Sequence, residues 1–335
     1  MERKYPSKEE YLNVLTCKKS CDVPFYSPPY RAPVGSGDPF ESGPAGGGLD
    51  GFGVWWDVTP EGAIPSSRSF LLEDICDWEK VVHFPDLDSI DWNAKSEKDL
   101  ANWNPENQVV EYAMYNSHFQ RLTALMGFEN GLCAMVEEPE ACSGFMEAFT
   151  EYRLAYVRKI EEHYHPDVIC NYDDVATVRG TFMSRAAYQE LIKPWHKIVN
   201  DEIKRYGIIP IQHCCGKAES LIEDFIDEGA KCWCSVQPEN DIAAALQSYG
   251  DVISICGGYD TTKVAGLINF TEYDIRKEVD ETIDRYARYG SFILGNMTLM
   301  AGPGFTKQEI GRIIADEALG YGKDYYSRSV TNNQS

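Results

Sequence analysis

His213 and Cys215 are the residues whose types and spacing point most directly to chemistry. They close residues 208–216, IIPIQHCCG, an apolar run ending in a histidine, two cysteines and a glycine. On a β-strand, residues two apart share a face, so His213 and Cys215 project together from the strand's C-terminal end while Cys214 turns away. An imidazole and a thiolate are two of the ligands zinc prefers, and a catalytic zinc needs one more from elsewhere. The alternative is a buried cysteine pair, since free cysteine is among the most buried residue types.

The elements that must position this pair become regular from about residue 131. Strand-like runs occur at 132–136, Val168–Tyr172, 208–213, 231–236, 252–256 and 292–294. Helical runs fill the gaps at Pro139–Tyr164, 185–206, 218–228, Ile242–Tyr249, 272–289 and Lys307–Tyr321. Such alternation implies parallel strands with right-handed crossovers. Six of these units, with one or two irregular ones earlier, predict an α/β fold, a single-domain (β/α)8 TIM barrel. Residues 1–53 are expected as an N-terminal extension, 54–325 as the barrel and 326–335 as a flexible tail. An open doubly wound sheet lacks a convincing glycine-rich first turn here.

Functional side chains of a barrel sit where its strands end. That rule selects Asp173 and Asp174, His213 and Cys215, Gln237 and Glu239, then Cys256, Tyr259 and Asp260, and finally Asn296 and Met297. Asp173 and Asp174 are adjacent, so only one can face the site. Asp174 is the candidate general acid if burial or its neighbour raises its pKa, with loop capping as the alternative.

The first half is less regular. Ser7 with Glu10 makes a capping box for a short helix. Residues 35–53 hold eight glycines and two prolines. Gly46, Gly48 and Gly51 match a dinucleotide fingerprint in spacing, but no clear strand precedes them and no apolar helix follows. This stretch is read as a lid or an inert linker. Residues 54–58 suggest an early strand on which one Trp faces inward. Trp56 then walls a pocket for a flat ring or packs in the core.

Composition narrows the class. The chain has 335 residues and a net charge of -22, which argues against nucleic acid as a partner. No run approaches the ~18 apolar residues of a membrane span, and the N-terminus lacks the apolar core of a signal peptide. The eleven cysteines are read as reduced thiols, and the protein is expected to be cytoplasmic.

His213-x-Cys215-Gly216 is followed by the 217–227 segment, Lys231-Cys232-Trp233, Gln237-Pro238, Asn240-Asp241 and Gly257-Gly258-Tyr259-Asp260. Upstream lie the 167–171 segment, Asp173-Asp174, Arg179-Gly180, Met183-Ser184 and Lys193-Pro194. Together these resemble the uroporphyrinogen decarboxylase superfamily, and within it the corrinoid-dependent methyltransferases. The likeness extends over about residues 110–325. In the first hundred it is loose, resting on Val23-Pro24-Phe25 and Pro85-Asp86-Leu87-Asp88.

The resemblance implies that His-x-Cys is a zinc half-site and that a methyl group moves through a corrinoid. No Asp-x-His-x-x-Gly motif is present, so the corrinoid is expected on a separate corrinoid protein. Related methyltransferases take a third ligand, a cysteine, from the loop after the last strand. Here that loop reads GNMTLMAGPGF without one, so the expectation passes to Cys256, with Glu239 as the alternative and a metal-free site as a further one. Trp56, Asn171, Tyr172, Gln237, Tyr259 and Asn296 are the candidate substrate contacts. The expected donor is a methoxylated aromatic whose ether oxygen lies near the metal, with methylated amines or thiols left open. The resemblance also supports a homodimer. The second reading is a decarboxylase, although an Arg-rich N-terminal segment is reduced here to Arg3 and Arg31. The third is a non-catalytic barrel that serves as a binding module.

Overall fold

The computed structural model of the chain describes residues 7–27, 31–35, 38, 40–59, 62–267, 269–295 and 304–332. Seven parallel strands form its main sheet: β1 (Arg31–Val34), β2 (Val109–Met114), β3 (Val168–Tyr172), β4 (Ile209–His213), β5 (Cys232–Val236), β6 (Ser254–Gly258) and β7 (Phe292–Gly295). They are hydrogen-bonded in that order. Parallel neighbours require crossovers, and the helices that supply them cover the outside of the sheet.

The sheet curls until its two edges meet in one stretch of chain. Tyr26 N donates to Leu294 O (2.8 Å) and Leu294 N donates to Pro24 O (2.9 Å). The same stretch then enters β1, which pairs with β2. Among the described residues, closure leaves the main sheet no free edge and sets its strands' C-terminal ends on one rim. The α/β barrel class expected from the sequence is observed, with residues 24–26 lying along β7 in place of a full-length strand.

Several elements differ from the sequence reading for physical reasons. Residues 132–136 belong to a helix, Phe128–Glu137, because a short apolar run has no periodicity that separates helix from strand. The barrel strand lies earlier, at β2, where Glu111 interrupts the apolar pattern yet is wholly buried. The 185–206 helix breaks into Arg185–Leu191 and Lys193–Arg205, since Pro194 lacks an N–H and suits only a first turn. Trp55–Thr59 is a strand of a separate three-stranded antiparallel ribbon. Ser7 caps its helix, but Glu10 turns to Ser20 Oγ (2.6 Å) and Cys21 N (2.9 Å) instead of closing a capping box. Residues Tyr325–Asn332 are helical, and Tyr326 N donates to Cys21 O. No helix among the described residues is long and apolar enough to cross a membrane.

The glycine-rich stretch carries three acidic residues whose side chains are buried: Asp38, Glu41 and Asp50. Glu41 pairs with Arg153 at 2.6 Å and accepts from Tyr152 Oη at 2.8 Å. Asp50 pairs with Arg121 at 2.7 Å and also accepts from Phe52 N, Val54 N and Trp56 Nε1. A Cβ at Gly43 would lie 2.0 Å from Trp56 Cγ, so a glycine there lets the indole reach Asp50. Arg153 also donates to Asn171 Oδ1 (3.0 Å) and to the carbonyls of Met114 and Tyr115. The stretch is thereby tied to the C-terminal ends of β2 and β3.

A second buried network fixes the turn after β3. Asp173 accepts from Phe119 N (3.0 Å) and Gln120 N (2.8 Å), capping the helix His118–Met126. It also meets His196 Nε2 at 2.9 Å, while His196 Nδ1 lies 3.4 Å from Glu228. Burial opposes a charge on His196, but the hydrogen bonds and charges of Asp173 and Glu228 outweigh it and raise its pKa from 6.5 to about 9.

Two predictions follow these networks. Glu41→Ala leaves Arg153 buried without its carboxylate and should cost about 3–5 kcal/mol in urea unfolding; a loss indistinguishable from a surface substitution would contradict the network. His196 gains charge on folding, so its stabilisation is complete below its ordinary 6.5 and is lost as pH rises through about 9. Urea midpoints of wild type should fall across that window, and His196→Gln should flatten the fall.

Candidate metal centre

His213 ends β4 in register with Tyr172 of β3 on one side and Cys234 of β5 on the other. Neighbours in register on parallel strands point the same way, and alternation adds Cys170 two residues before Tyr172. An interior face normally filled by Val, Ile and Leu is therefore lined by Cys170, Tyr172, His213 and Cys234.

The imidazole is held between these groups. Its ring stacks on Tyr172 with centroids 3.9 Å apart and planes inclined by 20°, and Tyr172 in turn packs on Tyr115 at 4.3 Å. His213 Nδ1 lies 3.5 Å from Cys234 Sγ, and Nε2 lies 3.4 Å from Cys215 Sγ. Asp174 Oδ1 is 3.8 Å from Nε2 and accepts from Cys215 N at 2.6 Å, while its Oδ2 accepts from Gln120 Nε2. Cys170 Sγ is 3.7 Å from Cys234 Sγ. Two sets of possible metal ligands result among the described residues, each with its ligand atoms within 4.8 Å of one another. Asp174, His213 and Cys215 make the outer set; Cys170, His213 and Cys234 make the inner one.

Local backbone explains how the loop after β4 delivers Cys215. Gly216 has φ +83°, and a Cβ there would lie 2.7 Å from Ala176 O. Only glycine allows this turn against residues 176–177. Asn240 donates to Gly216 O (2.9 Å) and accepts from Ala218 N (3.0 Å) and Glu219 N (3.1 Å). On β5 the ladder to β6 slips between Cys234 and Val236, and Ser235 has φ +69°. This bulge aims the Ser235 hydroxyl at Cys215 Sγ, 3.3 Å away.

Electrostatics couple the thiols and the ring. Burial opposes ionisation of Cys234, yet hydrogen bonding from Cys170 and the charge and hydrogen bond of His213 bring its pKa down to about 5. Burial likewise opposes charge on His213, but the Cys234 thiolate, Cys215 and Asp174 outweigh it and hold the imidazole pKa well above 6.5. Each group thus favours the charged form of the other.

The residues singled out in the sequence separate into two groups. His213, Cys215, Asp174 and Tyr172 meet at the rim. Cys256 is buried on β6 and joins neither ligand set, and Glu239 is exposed on its loop. The groups that do stand within ligand distance of His213 are Asp174 and Cys215 in the outer set and Cys170 and Cys234 in the inner one. Asn171 Oδ1 is taken by Arg153, Gln237 Oε1 by Gly216 N (3.1 Å), Tyr259 Oη by Ile275 O (3.3 Å) and Trp56 Nε1 by Asp50. Asn296 and Met297 lie outside the described residues. Sequence reasoning singled out none of Cys170, Cys234 and Ser235. Period-two alternation pairs Cys170 with Tyr172, but only the strand register shows that Cys234 reaches His213.

One solved structure shares the fold over nearly its whole length. A methyltransferase from Methanosarcina mazei superposes with a TM-score of 0.66 at 14% identity, covering 96% of this chain and 98% of that one. L-ribulose 3-epimerase (TM-score 0.41, 9% identity, 74% and 85% covered) and a D-psicose 3-epimerase from Clostridium cellulolyticum H10 (0.40, 10%, 68% and 81%) match too weakly to carry weight. No curated protein matches the chain by sequence. The uroporphyrinogen decarboxylase (URO-D) family model, however, matches residues 58–296, most of the barrel and the whole loop that carries Cys215, and the chain belongs to that family.

Proposed function

We propose that this protein is a methyltransferase that moves a methyl group from a methoxylated aromatic donor to the Co(I) corrinoid of a separate protein, with zinc held at the rim. The observation that carries this reading is the convergence of His213 Nε2, Cys215 Sγ and Asp174 Oδ1 at the C-terminal rim of a URO-D family barrel. The architecture shared with a methyltransferase agrees with it.

The donor set fits zinc. Imidazole, thiolate and carboxylate are all zinc ligands, and bonds of about 2.0–2.3 Å in a tetrahedron place neighbouring donors roughly 3.4–3.6 Å apart. The separations from His213 Nε2 are 3.4 Å to Cys215 and 3.8 Å to Asp174. Zinc bound there would act as a Lewis acid on the donor's ether oxygen. Three protein ligands leave a position for that oxygen.

The chain's own residues organise the rest. Tyr172 fixes the plane of the His213 ring, and with Tyr115 it offers an aromatic wall for a flat donor. Gln237 and Asn240 hold the loop on which Cys215 rides. Both oxygens of Asp174 already accept hydrogen bonds, so we assign it to holding the ion rather than to delivering a proton. The methyl group leaves without the electron pair of its C–O bond, and the aryloxide that remains takes a proton from water at the mouth. Arg31, one of two arginines available to grip carboxylates in the decarboxylase reading, is paired inside the barrel with Glu111 at 2.9 Å. Arg3 lies outside the described residues.

The test combines metal content with turnover. Cys215→Ala should lower bound zinc by about one ion per chain. It should also slow demethylation of methoxyarenes, followed by loss of Co(I) absorbance in a reduced corrinoid protein, by about 10²-fold or more. Unchanged zinc and unchanged turnover would overturn the assignment.

A further inference from the structure

We propose that the barrel interior holds a second, thiophilic metal site, formed by Cys170 Sγ, Cys234 Sγ and His213 Nδ1, with the His213 ring joining it to the rim. It shares His213 with the proposed rim site but does not depend on that site's being correct.

The imidazole carries the geometry. Its two nitrogens point away from each other, so one ion cannot use both, and the groups gathered at Nδ1 and at Nε2 serve different ions; with both sites filled, His213 would be a bridging imidazolate whose two N–H protons have gone to solvent. On the Nδ1 side, Cys234 Sγ is at 3.5 Å and Cys170 Sγ lies 3.7 Å from Cys234 Sγ. Tetrahedral zinc with bonds of about 2.3 Å to sulfur and about 2.0–2.1 Å to nitrogen places two sulfurs roughly 3.8 Å apart and sulfur and nitrogen roughly 3.5 Å apart. The spacing matches both edges. The sulfurs are too far apart for a disulfide, whose S–S bond is about 2.05 Å, and all the cysteines are free thiols.

Charge and chemistry agree. Burial and the neighbouring Cys234 keep Cys170 a thiol without metal, so an ion here would displace its proton to solvent, and the resulting pair of thiolates would neutralise one divalent cation, which removes most of the cost of placing either alone in a dry interior. Thiolate with imidazole selects zinc or another soft ion over magnesium or calcium. Cys170 and Cys234 are fully buried, the mark of a closed structural site and not of one that turns over substrate. A surrounding shell is present as well. Tyr26 Oη lies 3.9 Å from Cys234 Sγ and donates to Glu111 Oε1 at 2.5 Å. Glu111 Oε2 is buried with no hydrogen-bond partner among the described residues. Such outer groups orient ligands and are part of a built metal site. An ion here would fix the His213 ring from beneath and present Nε2 to the rim.

Metal analysis of the whole protein tests this. Wild type should bind about two zinc ions per chain, with Cys215→Ala retaining the inner one. Cobalt(II) loaded into Cys215→Ala should still give thiolate-to-cobalt charge transfer, because only the inner cysteines remain near the ring; this variant leaves the interior untouched. Cys170→Ala and Cys234→Ala should each lose one ion and, placed on Cys215→Ala, abolish the charge-transfer band. If Cys215→Ala strips all metal and all charge transfer, the inner site is refuted while the rim assignment stands. If Cys215→Ala leaves the metal count unchanged but Cys170→Ala and Cys234→Ala lower it, the inner site is supported and the rim assignment fails.

Discussion

The position of His213 in the parallel ladder is the constraint on which the rest of the site depends. Placed at the end of β4, between Tyr172 and Cys234 in register, it receives a stacked ring from one strand and a thiol from the next. Both neighbours arrive by backbone pairing alone. A slip of one residue in either ladder would turn the neighbouring side chain to the helical layer and leave the imidazole without it. Closure of the sheet through residues 24–26 matters for the same reason, because it brings Tyr26 beside Cys234 and Glu111 across the interior.

A barrel interior this polar must be supported electrostatically. Glu111 is paired with Arg31, whose guanidinium also lies 3.7 Å over the Tyr26 ring. Outside the strands, Glu41–Arg153 binds the glycine-rich stretch to the strand ends and Asp50–Arg121 binds it to the helix His118–Met126. Arg153 then reaches Asn171, next to the Tyr172 that stacks on His213. The stretch is therefore mechanically part of the rim. Buried ion pairs of this kind add little net stability over apolar packing, but they hold one arrangement because a displaced charge has no other partner.

Membership of the URO-D family sets the scaffold and the rim, while the residues at the rim set the chemistry. Here the cysteines, the histidine and Asp174 converge, whereas Arg31 is consumed by an internal pair. That distribution is what supports the metal-centred reading proposed above over the gripping of many carboxylates, with which the net charge of -22 also fits poorly.

Much of the architecture was legible in the chain. The helices Pro139–Tyr164, Ile242–Tyr249 and Lys307–Tyr321 coincide with their sequence-derived bounds, because apolar periodicity and capping residues are local. The pairing of His213 with Cys215 was legible because both belong to one short run. Other features were not. β2 was hidden by Glu111, a charge that only its partner Arg31 makes acceptable in a strand interior. The nearness of Cys234 to His213 was hidden as well, because depth along a strand cannot be read without its register. From Pro139 onwards the sequence by itself determined the order of strands and helices, and it determined the half-site at 213–215 and the glycine that lets Cys215 turn inward. Only the tertiary structure decided which thiols and which carboxylate stand beside His213, since those distances depend on alignment between strands far apart in the chain, and nothing local encodes it.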